Sequence, residues 1–446
     1  MRIIIAGAGD LGFHLAKLLA YEEQDIILID QDSEVLENVS NSLDVNVIKG
    51  SSTSISVLEE ANVSKADLLI AVTSIEETNI ATAIIGKSLG AKRTIARISN
   101  IEFLQQKEKL DLKTVGIDEI ISPESLAARE IKRLLKQSAL TDTFEFEKGS
   151  LSLIGITVDE DSELRDKTLT ETAYLNPDQD FTTIAILRDH ETIIPYGDNK
   201  FMLNDHAYFI AEPSGMERVM SLAGKESFEI KNVMILGGSK VGINTARQLS
   251  KKYNIKIIEQ DKEKCLMLAD ELPDTMIING DGRSIDLLKQ EGIDRMDAFV
   301  ALTGNSETNI ISSLVAKNNG VKKTISAVEN IDYIHLSQSI GVDTLINKKL
   351  IAANFIFRYI RKGQVLNLTS IHGVDAEILE FEVNDGSKII NKELKDLEFP
   401  KTAIIGGVIR NNSGYAVRGD FEFKAKDRVV VLSKSECIRT VESFFK

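Results

Sequence analysis

"IIIAGAGDLGFHLAKLL" occupies residues 3–19, and a similar stretch, "VMILGGSKVGINTARQL", occupies 233–249. In both, a short apolar run breaks into glycines and resumes with helical spacing. Such a run reads as a buried parallel strand that turns tightly into a helix. Strand, glycine turn and helix in that order open a doubly wound α/β sheet, so these two stretches decide the fold.

The echo belongs to a longer duplication. "LEEANVSKADLLIAVTSIEETNI" at 58–80 matches "LKQEGIDRMDAFVALTGNSETNI" at 288–310, at the same 230-residue offset that separates Gly7 from Gly237. "ILIDQD" ends at Asp32 and "KIIEQD" at Asp261; "KRTIARISN" at 92–100 faces "KKTISAVEN" at 322–330. So many matches in one order make the chain two copies of one unit. In the first copy, apolar runs at 2–6, 25–30, 45–48, 68–73, 93–98 and 118–121 predict strands, with helices at 10–22 and 76–90 between them. The second copy repeats the alternation from 232 to about 346.

Each α/β unit closes with an apolar helix: "ESLAAREIKRLLKQ" after Ser122-Pro123, and "KKLIAANFIFRYIRK" after Asn347. In the latter, Leu350, Ile351, Phe355, Ile356, Tyr359 and Ile360 give an apolar surface wider than a single stripe. It fits either packing on its own sheet or a dimer contact. Segments 144–212 and 365–434 instead show short alternating runs between turn residues, the pattern of small β-rich domains. The expected organisation is two Rossmann-like doubly wound domains, each followed by a small β-rich α+β domain, over 1–138, 139–225, 231–362 and 363–446. A helix and a linker are expected within 213–230.

Composition narrows the function. With 53 Lys and Arg against 68 Asp and Glu, the net charge of −15 argues against a nucleic-acid surface, which needs clustered cations. Two distant cysteines, Cys265 and Cys437, and five scattered histidines have no metal-ligand spacing, and no metal site is expected. No charged segment precedes an apolar signal core, and no apolar run has the length that a bilayer requires. A chain soluble by itself is expected, which leaves docking to the exposed face of a membrane protein open.

The loop "GAGDLG" (Gly7, Ala8, Gly9, Asp10, Leu11, Gly12) has GxGxxG spacing. The first glycine allows the tight turn, the second the approach of a pyrophosphate, and the third close packing of helix on strand. Phosphate then meets free N–H groups at the positive end of the helix dipole. Asp30, at the end of the next predicted strand, is placed to accept hydrogen bonds from ribose hydroxyls and to repel a 2′-phosphate, which favours NAD(H) or another adenine nucleotide over NADP. Asp32 reads better as the N-cap of the following helix.

In the second loop, Gly237, Gly238, Ser239, Lys240, Val241 and Gly242, a serine replaces the middle glycine, and its Cβ is expected to crowd the phosphate approach. Glu259 keeps the ribose acid, and Asp281 stands where the first copy has Ser51. Lys240 suits either a phosphate contact or a solvated helix start. Thr73 and Ser74, and Thr303 in the second copy, end strands on the side where such sheets bind ligands. Asn79 and Asn309, in the shared "ETNI", fit a ligand contact or a helix-start hydrogen bond equally. Arg97, inside a predicted buried strand, calls for an anion, either a phosphate or an interface carboxylate; Ala327 replaces it in the second copy.

The duplication, the loop, the ribose acid and above all "ADLLIAVTSIEETNI" make the chain resemble the TrkA family, regulatory subunits of Trk-type potassium uptake built from tandem RCK or KTN nucleotide-binding domains. The resemblance covers essentially the whole chain. It implies a peripheral protein on the cytoplasmic face of the inner membrane. It also implies a homo-oligomer, a dimer or a tetrameric ring, beneath an integral-membrane potassium-translocating subunit gated by nucleotide. By motif matching, Gly7 to Leu11, Asp30, Thr73, Ser74 and Arg97 would line a first site for NAD(H). Gly237 to Val241, Glu259 and Thr303 would line a second, for NAD(H), ADP or ATP. Ser239 and Ala327 depart from the fuller pattern.

The alternative, an NAD-dependent oxidoreductase, needs a general acid or base beside the nicotinamide and a substrate domain. His14 reads as a surface residue of the loop helix, and His190, His206 and His372 have no counterpart in the other copy. A non-enzymatic nucleotide switch is the expectation.

Overall fold

The computed structural model describes residues 1–20, 24–100, 102–103, 111–136, 140, 142–189, 191–224, 228–330, 341–361, 367–370 and 374–446. His190, His335 and His372 lie outside these, as do the domain limits expected at 138/139, 225 and 362/363.

The first sheet has six parallel strands in the order β3-β2-β1-β4-β5-β6. They are β1 (Arg2–Ala6), β2 (Asp25–Asp30), β3 (Asn46–Lys49), β4 (Leu68–Ala71), β5 (Thr94–Arg97) and β6 (Glu119–Ile121). The strand order reverses between β1 and β4, which is where open α/β sheets bind ligands, at the carboxyl ends of the strands. Ile3, Ile4 and Ile5 of β1 are wholly buried because helices cover both faces.

A five-stranded antiparallel sheet follows, ordered β10-β9-β11-β8-β7. It comprises β7 (Asp142–Phe146), β8 (Leu151–Thr157), β9 (Phe181–Arg188), β10 (Glu191–Ile193) and β11 (His206–Ala211). The helix Pro213–Leu222 lies in the segment expected to hold a helix and linker.

The second repeat reproduces both. Its parallel sheet, β14-β13-β12-β15-β16-β17, comprises β12 (Asn232–Leu236), β13 (Asn254–Glu259), β14 (Thr275–Asn279), β15 (Ala298–Ala301), β16 (Lys323–Ala327) and β17 (Thr344–Ile346). Its antiparallel sheet, β18-β19-β22-β20-β21, comprises β18 (Asn367–Ser370), β19 (Glu377–Glu382), β20 (Ala403–Arg410), β21 (Ser413–Ala416) and β22 (Arg428–Ser433).

The chain divides into two compact units that cut across the repeats. The first holds Met1–Ala127 together with Asn347–Ile360; the second holds Ala128–Ile346 and Arg361–Lys446. In the second unit the two antiparallel sheets share one core, in which Ile184, Tyr208 and Ile210 pack with Ile378, Val430 and Leu432. In the first unit, the wide apolar helix Lys348–Arg361 of the second repeat joins the α/β sheet of the first repeat. Ala352, Ala353 and Ile356 are fully buried there, and the Arg93 guanidinium lies 5.4 Å from the centre of the Tyr359 ring. The surplus apolar width of this helix thus finds its partner in the other repeat.

Candidate functional site

At the end of β1 the chain must turn sharply into the helix Asp10–Ala20, and the three glycines divide the work. Gly7 has φ +108°, and a Cβ there would stand 2.8 Å from the Thr73 backbone nitrogen. At Gly12 a Cβ would meet the Gly7 carbonyl oxygen at 1.8 Å. Those two positions are closed to a side chain by the protein itself. A Cβ at Gly9 would meet nothing within 4 Å, so the space in front of it is an open cradle at the helix start.

The Asp30 carboxylate accepts from the Ala8 N–H at 2.7 Å and the Asp32 N–H at 3.0 Å, which fixes the loop and leaves acceptor capacity toward the cleft. Asp32 is an N-cap, accepting from the Glu34 and Val35 N–H groups.

Around the cradle is a cleft of about 400 Å³ that brings together Gly7, Gly9, Asp10, Leu11, Asp30, Thr73, Ser74 and Arg97. Ala8 and Gly12 are buried beneath it in packing. The Arg97 guanidinium reaches the Glu124 carboxylate at 3.6 Å, and that carboxylate also accepts from the Ser99 hydroxyl at 2.9 Å. The carboxylate beside Arg97 thus comes from its own repeat and not from an interface, while Arg97 still faces the cleft.

Asn79 is a structural residue. Nearly fully buried, it accepts from the Thr73 N–H at 2.8 Å and the Thr73 hydroxyl at 2.7 Å, and donates to the carbonyls of Thr73 and Arg97 at 3.1 and 3.0 Å. Asn309 repeats this with Thr303 and Ala327. The shared "ETNI" therefore ties together two strand ends and presents Thr73 or Thr303 to the cleft.

His14 departs from expectation: it is half-buried, not a surface residue. Burial, helped by the charge of Lys17, pulls its imidazole down to about 4, so it is neutral at physiological pH.

The second cleft, about 380 Å³, brings together Gly237, Ser239, Glu259, Asp281 and Thr303. Its walls all come from the second repeat, between Leu236 and Thr308. Lys240 is exposed, while Gly238, Val241 and Gly242 are buried in packing. Ser239 is the N-cap of the helix Lys240–Leu249, and its hydroxyl accepts from the Gly242 N–H at 3.2 Å. It thereby takes up a helix-start donor that a phosphate would use.

Glu259 accepts from the Gly238 N–H at 2.9 Å and the Asp261 N–H at 3.1 Å, as Asp30 does in the first repeat, but the Lys264 ammonium also sits 2.8 Å from it. Burial pushes the Glu259 carboxyl up, and Lys264 with the two backbone N–H groups outweighs it, leaving the group below the ordinary carboxylate range. Asp281 forms a two-pronged bond with Arg283, whose guanidinium draws its carboxyl down. Lys264 stands where the first repeat has Val35, and sequence reading passed over both it and Arg283.

Among the described residues no group of His, Cys, Asp and Glu could hold a metal ion, and no helix is long and apolar enough to cross a membrane.

The TrkA-N domain matches residues 3–123 and 233–348, and the TrkA-C domain matches 153–224 and 378–446. The chain belongs to the TrkA family. Its similarity to relatives runs end to end. It is 32% identical to the Trk system potassium uptake protein TrkA homolog 1 of Methanosarcina mazei, covering 100% of both chains. It is likewise 32% identical to the TrkA of Haemophilus influenzae, covering 100% of this chain and 99% of that one. Among solved structures, the GsuK RCK domain overlays with a TM-score of 0.60 at 16% identity, over 100% of this chain and 94% of that one. The GsuK channel bound to NAD overlays with a TM-score of 0.59 at 15% identity, over 100% of this chain and 78% of that one. These structures share the fold.

Proposed function

We propose that this chain is a nucleotide-binding regulatory subunit, not an enzyme, that sits on the cytoplasmic face of the inner membrane and gates a Trk-type potassium-translocating subunit. The observation that carries the nucleotide reading is the open cradle at Gly9, bounded by a helix start and the Asp30 carboxylate. A pyrophosphate fits where a side chain is excluded by no protein atom, and Asp30 suits the ribose of NAD(H). Gly7, Gly9, Asp10, Leu11, Asp30, Thr73, Ser74 and Arg97 would hold it. The second cleft would take NAD(H), ADP or ATP more weakly, through Gly237, Ser239, Glu259, Asp281 and Thr303.

The partner and the potassium role follow from family membership, since the relatives are named for potassium uptake by a Trk system. Assembly as a dimer or tetrameric ring belongs to the same reading. A ligand can shift such an assembly only by binding one conformation better than another, and a closed ring of identical sites moves together.

Titrating NADH and ATP into the purified chain, with scattering for shape and absorbance for NADH consumption, tests this. Binding with a change of shape and no turnover is expected. Consumption of NADH with a small substrate would overturn it.

A further inference from the structure

The first cleft has a wall that its own repeat does not supply. Lys348 and Lys349, the first two residues of the second repeat's helix Lys348–Arg361, line it together with Gly7, Gly9, Asp30 and Arg97. The helix start is held firmly: Asn347, 1% exposed, accepts from the N–H groups of Lys349 and Leu350 at 2.9 and 3.1 Å. The helix body is anchored on the first repeat's sheet through its buried alanines and Tyr359. The Lys349 ammonium forms an ion pair with Asp10, the residue that follows the open glycine.

We propose that Lys348 and Lys349 bind the phosphate chain of the nucleotide in the first cleft, so that this site is built from both repeats and favours ligands by their phosphate charge. The inference rests on the nucleotide reading above. The charge around the clefts supports it. Three cations, Arg97, Lys348 and Lys349, line the first cleft against two, Lys264 and Arg283, in the second; Arg97 is bonded to Glu124 and Lys349 to Asp10. In the second, Lys264 and Arg283 are each bonded to an acid, Glu259 and Asp281. The first repeat's own helix carries Pro123 and Glu124 at the places that Lys348 and Lys349 hold in the second, and Glu124 is bonded to Arg97 and Ser99. Only one of the two helices therefore brings ammonium groups to a cleft.

Asp10 keeps Lys349 at the mouth of the cradle. An arriving phosphate, with more charge and more acceptor atoms than a carboxylate, competes for that ammonium. Binding would then engage the start of the second repeat's helix at the first repeat's loop.

The test is NADH fluorescence titration of the full-length chain with competition by ATP, ADP and adenosine. Lys349→Gln should weaken NADH, ATP and ADP by about tenfold, the loss of one charge-assisted hydrogen bond, and leave adenosine unchanged. Lys348→Gln should act in the same direction, Lys349→Arg should restore binding, and Asp10→Asn should tighten ATP by releasing the lysine and removing a like charge. Equal losses for adenosine and ATP would show that the lysines only shape the cleft and would overturn the proposal. So would unchanged affinity in the double Gln variant. Should Lys349→Gln fail to fold, the Asp10→Asn arm decides, with unchanged or weaker ATP binding counting against the proposal. Asp30→Ala separates the two readings: loss of binding there, with none in the lysine variants, leaves the nucleotide site standing and removes the lysines from it. No binding by the unaltered chain removes both.

Discussion

The two glycine loops share a fold and a register and open on clefts of similar size, yet in the second the polar groups of the wall are already paired with one another. In the first, Gly9 fronts empty space and Asp30 keeps acceptor capacity. In the second, Ser239 caps the helix, Lys264 neutralises Glu259 and Arg283 neutralises Asp281. Duplication preserved the strand–turn–helix scaffold, while substitutions at a few wall positions changed what each copy can hold. A scaffold of this kind constrains the residues beneath the cleft much more than those facing it.

The largest effect is expected beneath the loops. Gly12→Ala would drive a Cβ into the Gly7 carbonyl, and Gly242→Ala into that of Gly237, at 1.8 and 2.3 Å. Each should lower the stability of its own unit by about 3 kcal/mol or more in denaturant titration. A loss confined to one repeat would break the equivalence of the scaffolds.

Next comes pH. Asn244, which cannot titrate in this range, stands where the first repeat has His14. His14 is held at about 4 in the native state against 6.5 unfolded. Between those values the unfolded chain binds a proton that the native chain does not. Stability from this group is therefore complete above pH 6.5 and falls as pH drops toward 4, by up to about 3 kcal/mol. Melting as a function of pH should show this loss, and His14→Asn should remove it.

Asn79→Ala and Asn309→Ala each strip a buried set of four hydrogen bonds. Each should cost about 2 kcal/mol by thermal melting, and the two should be alike. A much smaller loss in one repeat, together with altered ligand affinity, would restore the reading of these residues as ligand contacts.

The smallest effect on stability is expected at the surface of the second cleft. Ser239→Gly exchanges one acceptable N-cap for another and should change stability by only a few tenths of a kcal/mol, about the noise of a melting curve. Its information lies in binding, where freeing the Gly242 N–H should strengthen nucleotide at the second site. Unchanged affinity in calorimetry would mean that the pairing of Lys264 and Arg283 with Glu259 and Asp281, and not the serine, weakens binding at that cleft.

The sheets were legible because buried parallel strands are continuous apolar runs, and the six expected in the first repeat lie where β1–β6 do. The glycine turns and the N-cap Asp32 were legible because each follows from local backbone chemistry. What escaped depends on distant contacts. The apolar face of the helix Lys348–Arg361 suggested its own sheet or a dimer contact and is met instead by the other repeat, since the pattern is the same for any apolar surface. Lys348 and Lys349 have no recurring motif; the signal was a mismatch between copies, Pro123-Glu124 against Lys348-Lys349. Lys264 was hidden likewise, one substitution for Val35 on a helix where a solvated lysine is ordinary. His14 looked exposed because helical spacing alone does not reveal what covers a partly buried face.

The measurement that bears most directly on the unequal clefts is calorimetric titration of NADH into the full-length chain, repeated with Asp30→Ala and Glu259→Ala. One tight site per chain is expected, abolished by Asp30→Ala and left intact by Glu259→Ala. Two sites of equal affinity, each lost with its own acid, would contradict the account.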